Sequence, residues 1–90
     1  MPFLLVRNKV ADYAKWRPVY DEHGAARSAA GAKRARLFRS KENPNEIIIL
    51  MEWDGLNKAR QFTQSQDSKE TMTRAGVIEM PSIYFLEEIK

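Results

Sequence analysis

The sequence predicts a single α+β domain with elements in the order β-α-β-β-α-β. Three observations predict it. Residues 3–10, Phe-Leu-Leu-Val-Arg-Asn-Lys-Val, alternate as a strand does, with Leu4, Val6 and Asn8 on one side and Phe3, Leu5 and Arg7 on the other. Residues 47–53, Ile-Ile-Ile-Leu-Met-Glu-Trp, form an apolar run between two turn-forming stretches. Trp16, Tyr20, His23 and Arg27 recur at four, three and four residues, the spacing of one helix face. Together these describe the split β-α-β, ferredoxin-like arrangement, with two helical regions on one face of a four-stranded antiparallel sheet.

Each element has its own local signal. Asp12 is placed to cap a helix over Tyr13–Ala30, and Gly31 to end it. Pro18 disturbs the early part of this helix, since it removes one donor and crowds the preceding turn, so regular helix is expected from about Lys15–Arg17. Residues 33–41 are a charged second strand, in which Arg34, Arg36 and Phe38 share a face and Arg39 takes the other, as suits a solvated edge. Glu42–Glu46, with Pro44 at its centre, is the turn into the 47–53 strand. Asp54-Gly55 breaks that strand before a helix over Leu56–Gln64, whose Leu56, Ala59, Phe62 and Thr63 face inward. A short helix over Lys69–Ala75, capped by Asp67 or Ser68, precedes Gly76. Ser82–Glu87 is the last strand.

The middle strands are apolar on both sides. Ile48 and Leu50 oppose Ile47, Ile49 and Met51, and Phe3 and Leu5 oppose Leu4 and Val6. Helices on one face leave the other uncovered, and such a face implies a partner. A second copy, sheet against sheet about a two-fold axis, is the simplest one. Arg7 and Glu52 fall on this face and suit a charged pair there. Ninety residues, 43% of them hydrophobic, give one domain with a thin core, which points the same way.

Composition removes several classes of function. Without cysteine there is no thiol chemistry, and one histidine without an acidic cluster makes no zinc site. No secretory leader is visible, and no run approaches the roughly 20 apolar residues of a membrane span, so a cytoplasmic location is expected. Residues 7–41 hold ten Lys/Arg against three Asp/Glu, whereas residues 42–90 hold five against nine. The basic half lacks the motifs of nucleic-acid readers and suits a solvated face or a small acidic ligand. Phosphate loops, HExxH and GxSxG are all missing.

The helix stripe is the candidate site. His23 is the one side chain that ordinarily titrates near neutrality, so it fits a general acid or base; the alternative is a half-buried histidine bonded to backbone or a carboxylate. Arg27 can hold a carboxylate, phenolate or enolate oxygen through its planar fork, or pair with an acid of the protein. Tyr20 can donate a hydrogen bond or simply pack. Trp16 and Trp53 suit a core or a wall for a flat ligand. Asn8, on the helix-facing side of its strand, requires a partner, either a backbone group or a ligand. Asp21 and Glu22, adjacent to His23 in sequence, point elsewhere on the helix.

The run Trp16-Arg17-Pro18-Val19-Tyr20-Asp21-Glu22-His23, with Arg27, Gly31, Met51-Glu52-Trp53, Leu56–Phe62 and Ile83-Tyr84-Phe85-Leu86-Glu87, resembles the dimeric α/β barrel superfamily. Its antibiotic-biosynthesis-monooxygenase-like and small cyclase-like members are the most similar. The resemblance spans nearly the whole chain and implies a homodimer whose sheets form a barrel, with a pocket in each subunit between helices and sheet. The haem-degrading branch pairs a first-strand asparagine and a third-strand tryptophan with a histidine after the second helix. Asn8 and Trp53 match, but Ser68–Thr73 contains no histidine and has Met72 near that point, so haem degradation is not expected.

The resemblance therefore implies an enzyme that needs no cofactor or metal, monooxygenase-like or cyclase-like, acting on a small oxygenated aromatic or polyketide-like molecule. His23 would handle a proton and Arg27 would hold a developing oxyanion, while Asn8, Trp16, Tyr20 and Trp53 bind substrate. The alternative is a non-catalytic small-molecule-binding or structural homodimer.

Overall fold

The computed structural model describes residues 2–89. Its elements are β1 (Phe3–Lys9), α1 (Tyr13–Glu22), α2 (Gly24–Ala30), β2 (Ala32–Arg39), β3 (Glu46–Trp53), α3 (Leu56–Gln64), α4 (Gln66–Arg74) and β4 (Ser82–Leu86). The strands form one antiparallel sheet in the order β2-β3-β1-β4. This is the ferredoxin-like topology that the alternation predicts.

The first helical region departs from expectation in two ways. It starts at Tyr13, because the Asp12 side chain accepts the Ala14 N–H at 2.9 Å. Pro18 therefore lies inside α1; it is exposed, and the turn it crowds faces solvent. The helix then breaks at His23, whose ψ of 0° lies outside helical geometry, and Gly24 opens α2. Gly31 ends α2 at a φ of +122°, where a Cβ would come within 3.0 Å of the Lys58 side chain and 3.6 Å of the Trp53 ring. The last helix is longer than predicted. Ser65, rather than Asp67 or Ser68, caps it by accepting the Ser68 N–H at 3.1 Å, and this places Asp67 in the first turn.

Register fixes which side chains meet the helices. Leu4 pairs with Met51, Val6 with Ile49 and Asn8 with Ile47. These residues, with Trp53, point beneath the helices, where Trp16, Ala59 and Ala75 complete the buried core. The opposite face carries Phe3, Leu5, Ile48, Leu50, Phe38, Tyr84 and Leu86, and no helix among the described residues covers it. Arg7 and Glu52 lie on this face as predicted, but each has another partner: Arg7 bonds Glu46, and Glu52 lies 3.8 Å from Arg34. Arg39 does not simply solvate an edge. Its guanidinium sits 4.4 Å from the centre of the Tyr13 ring.

Candidate functional site

Between the sheet and the helices lies a cavity of about 80 Å³. One water needs roughly 10–15 Å³ on the same measure, so the space accepts more than a lone solvent molecule. Leu4, Val6, Asn8, Ile49, Met51 and Ile83 form its floor from the strands. Trp16, Tyr20, His23 and Arg27 come from α1, α2 and their junction, and Phe62, Thr63, Ser68, Thr71, Met72 and Ala75 from α3, α4 and the residue after it. The stripe read from the sequence thus reaches a single cavity even though the helix carrying it is broken. The break at His23 turns the chain while keeping Arg27 on the same side as Tyr20.

Stacked aromatic rings build this wall. The Trp16 ring lies 5.9 Å from Tyr13 and 4.9 Å from Tyr20. A guanidinium closes each end of the stack: Arg39 over Tyr13, and Arg27 over Tyr20 at 3.6 Å. Arg27 also donates from Nη1 to the Tyr20 carbonyl at 2.8 Å. No carboxylate among the described residues lies within ion-pair distance of Arg27, and burial pushes its pKa down against the opposing influence of Tyr20 and Asp21. Burial likewise pushes the Tyr20 phenol up, against the nearby Arg27 and Arg17. Tyr20 is therefore a neutral hydrogen-bond donor at physiological pH.

His23 is the polar centre of the helix side. Its Nε2 lies 2.7 Å from Asp67 Oδ2, and its ring is 5.7 Å from Phe62. The histidine side chain is 11% exposed and the Asp67 side chain 70%. An ionised carboxylate only accepts, so Nε2 carries the proton, and in the neutral ring Nδ1 keeps the lone pair. Asn8 stands on the floor, 3% exposed, and its Oδ1 accepts no hydrogen bond from the described residues. No backbone group among the described residues donates to that oxygen. The cavity thus combines an unpartnered acceptor, a phenol donor, an imidazole and a half-buried cation in apolar surroundings.

Trp53 is placed differently from the other five candidates. It is fully buried, packs 5.2 Å from Phe62 and does not line the cavity. It supports Phe62, which does. Sequence reasoning missed the α4 wall and Asp67. Ser68, Thr71, Met72 and Ala75 do repeat at helical spacing, but three of them are small or polar and leave no hydrophobic stripe to notice. Among the described residues no three His, Cys, Asp or Glu side chains gather where they could hold a metal ion. No helix among them is long and apolar enough to cross a membrane.

No protein-family model and no curated protein matches the chain. Solved structures do. A candidate antibiotic biosynthesis monooxygenase of Bordetella bronchiseptica superposes with a TM-score of 0.83 at 18% identity, over 99% of this chain and 97% of that one. An antibiotic biosynthesis monooxygenase gives a TM-score of 0.76 at 13% identity, over the whole of both chains. SnoaB, a cofactor-independent oxygenase of Streptomyces nogalater, gives 0.73 at 15% identity, over 98% and 94%. At such identities the likeness is one of fold, a four-stranded antiparallel sheet with helices.

Proposed function

We propose that the chain is a small cofactor-independent oxygenase or cyclase-like enzyme that takes a small, flat, oxygenated aromatic or polyketide-like molecule into the cavity beneath α1 and α2. The observation that carries this reading is the convergence of Asn8, Tyr20, His23 and Arg27 on one apolar cavity, with the Asn8 oxygen buried and without a donor among the described residues. Trp16, Tyr20 and Phe62 offer flat walls. His23, its Nε2 occupied by Asp67, takes a proton from the substrate at Nδ1. Arg27 balances charge on a substrate oxygen, and dioxygen is the oxidant in the oxygenase reading. SnoaB, which shares the fold, is named as a cofactor-independent oxygenase. The uncovered sheet face supports a homodimer closed sheet to sheet.

The test is oxygen uptake in the presence of a panel of hydroquinones and other electron-rich phenols. Protein-dependent uptake that falls at least about tenfold in His23→Ala supports the reading; a tenfold loss corresponds to roughly 1.4 kcal/mol of barrier. Equal uptake by the variant and the parent protein removes His23 from the chemistry. A non-catalytic binding protein is favoured by one observation: His23 and Arg27 each already have a protein partner, in Asp67 and the Tyr20 carbonyl.

A further inference from the structure

We infer that the ligand of this cavity is an aromatic carboxylate that carries a hydrogen-bond donor at its opposite end. The inference rests on the reading of the cavity as a small-molecule site, and it names the chemistry of that molecule. The first ground is Arg27. Arg7, Arg17 and Arg34 each have a carboxylate partner, in Glu46, Asp21 and Glu52. Arg36, Arg39, Arg60 and Arg74 have none among the described residues but are exposed, whereas Arg27 has none and is half-buried. Asp21, which bears on Arg27 electrostatically, is bonded through both oxygens to Arg17 at 3.0 and 3.2 Å. A half-buried guanidinium without a counter-ion is expensive for the protein, and an anion removes the expense.

The geometry of the guanidinium narrows the anion. Nη1 is occupied by the Tyr20 carbonyl, and the ring of Tyr20 covers one face. Nε and Nη2 have no partner among the described residues, and these two atoms form the side of the fork that accepts a carboxylate with two parallel hydrogen bonds. Gly24 has no side chain to set against Nη2, where an added Cβ would sit 3.5 Å away. The other acid near the cavity, Asp67, is bonded to His23 and mostly in solvent, so its charge on an incoming anion is screened.

Asn8 sets the second requirement. It rises from β1 on the floor of the cavity whose helix wall carries Arg27, and its Oδ1 accepts no hydrogen bond from the described residues. A ligand held at Arg27 by its carboxylate satisfies the Asn8 Oδ1 only if its far end donates, as a hydroxyl or amino group does. Leaving that acceptor unpaired discriminates against ligands lacking the donor.

The experiment is calorimetric titration of the full chain with matched ligands: para-hydroxybenzoate and hydroxynaphthoate as the two lengths of complete ligand, para-hydroxybenzamide and hydroxynaphthamide with the charge removed, and para-methoxybenzoate and methoxynaphthoate with the donor removed. The expected result is binding of one hydroxy acid, about tenfold weaker binding of its amide and of its methyl ether. The acid-amide difference disappears in Arg27→Gln, and the hydroxyl-ether difference in Asn8→Leu. Amides that bind as tightly as acids overturn the inference and leave the small-molecule reading standing. Binding of none of the six, acid or neutral, overturns both. The comparison on the parent protein decides the matter even if a variant folds poorly.

Discussion

His23 and Asp67 meet at 2.7 Å although 44 residues separate them, so the junction of α1 and α2 is tied to the first turn of α4 across the top of the cavity. The contact fixes which imidazole nitrogen is occupied. It adds little stability, because one partner is largely in solvent. Asp67→Asn is therefore expected to lower stability by less than about 1 kcal/mol, read from urea unfolding midpoints. Turnover of a phenolic substrate should fall by clearly more than that stability loss accounts for, with partial recovery in Asp67→Glu. Loss of both in proportion would make the contact merely structural.

Asn8 has the opposite signature. Burying an acceptor without a donor opposes folding, so Asn8→Leu should raise stability by about 1–3 kcal/mol, with the added bulk accommodated by the adjoining cavity. The same substitution should weaken ligand binding. Chemical denaturation and ligand titration on one preparation check both. A destabilised variant would mean that Asn8 is satisfied in the folded protein after all.

Tyr20 predicts a specific alkaline behaviour. Its folded value lies above the ordinary 10.0, chiefly through burial. The folded chain therefore holds this proton where the unfolded chain has released it. The associated stability is full below pH 10.0 and is lost as pH climbs through the folded value. Absorbance titration should show one phenol ionising above the ordinary range, absent in Tyr20→Phe, and the variant should unfold less steeply with rising pH. Ionisation of every phenol at the ordinary value would contradict the burial of this ring.

The open sheet face predicts assembly. Leu50 lies in its middle, between β1 and β2 and beside Leu5 and Arg36. Leu50→Glu should convert a dimer to a monomer in sedimentation velocity without emptying the cavity on the other face. A parent protein that sediments as a monomer at micromolar concentration would remove the sheet-to-sheet pairing.

The strands were legible because their information is local. Alternation in Phe3–Lys9 and the two-sided run in Glu46–Trp53 give both the element and the face of every side chain, and the register keeps those faces. The stripe of Trp16, Tyr20, His23 and Arg27 was legible for the same reason. The break at His23 was not, because a single residue leaving helical geometry keeps the spacing on either side. Asp67 was invisible as a partner of His23. Its position depends on where α4 begins, and that depends on one serine hydroxyl at Ser65 rather than on any periodic pattern. Trp53 carried a chemically attractive side chain, but its depth is set by Gly31 and Phe62 closing over it, which only tertiary packing reveals.

The pleat of β1 has an evolutionary consequence. Even-numbered positions, Leu4, Val6 and Asn8, face the cavity, while odd-numbered ones, Phe3, Leu5 and Arg7, face outward, and β3 repeats the division with its parity reversed. Adjacent codons therefore answer to separate selection. Substitution at alternate positions changes the cavity lining while the outward surface stays constant, and the reverse. A single-residue insertion or deletion within either strand transposes the two sets at one stroke, exchanging the cavity lining for the outward surface as no single substitution does.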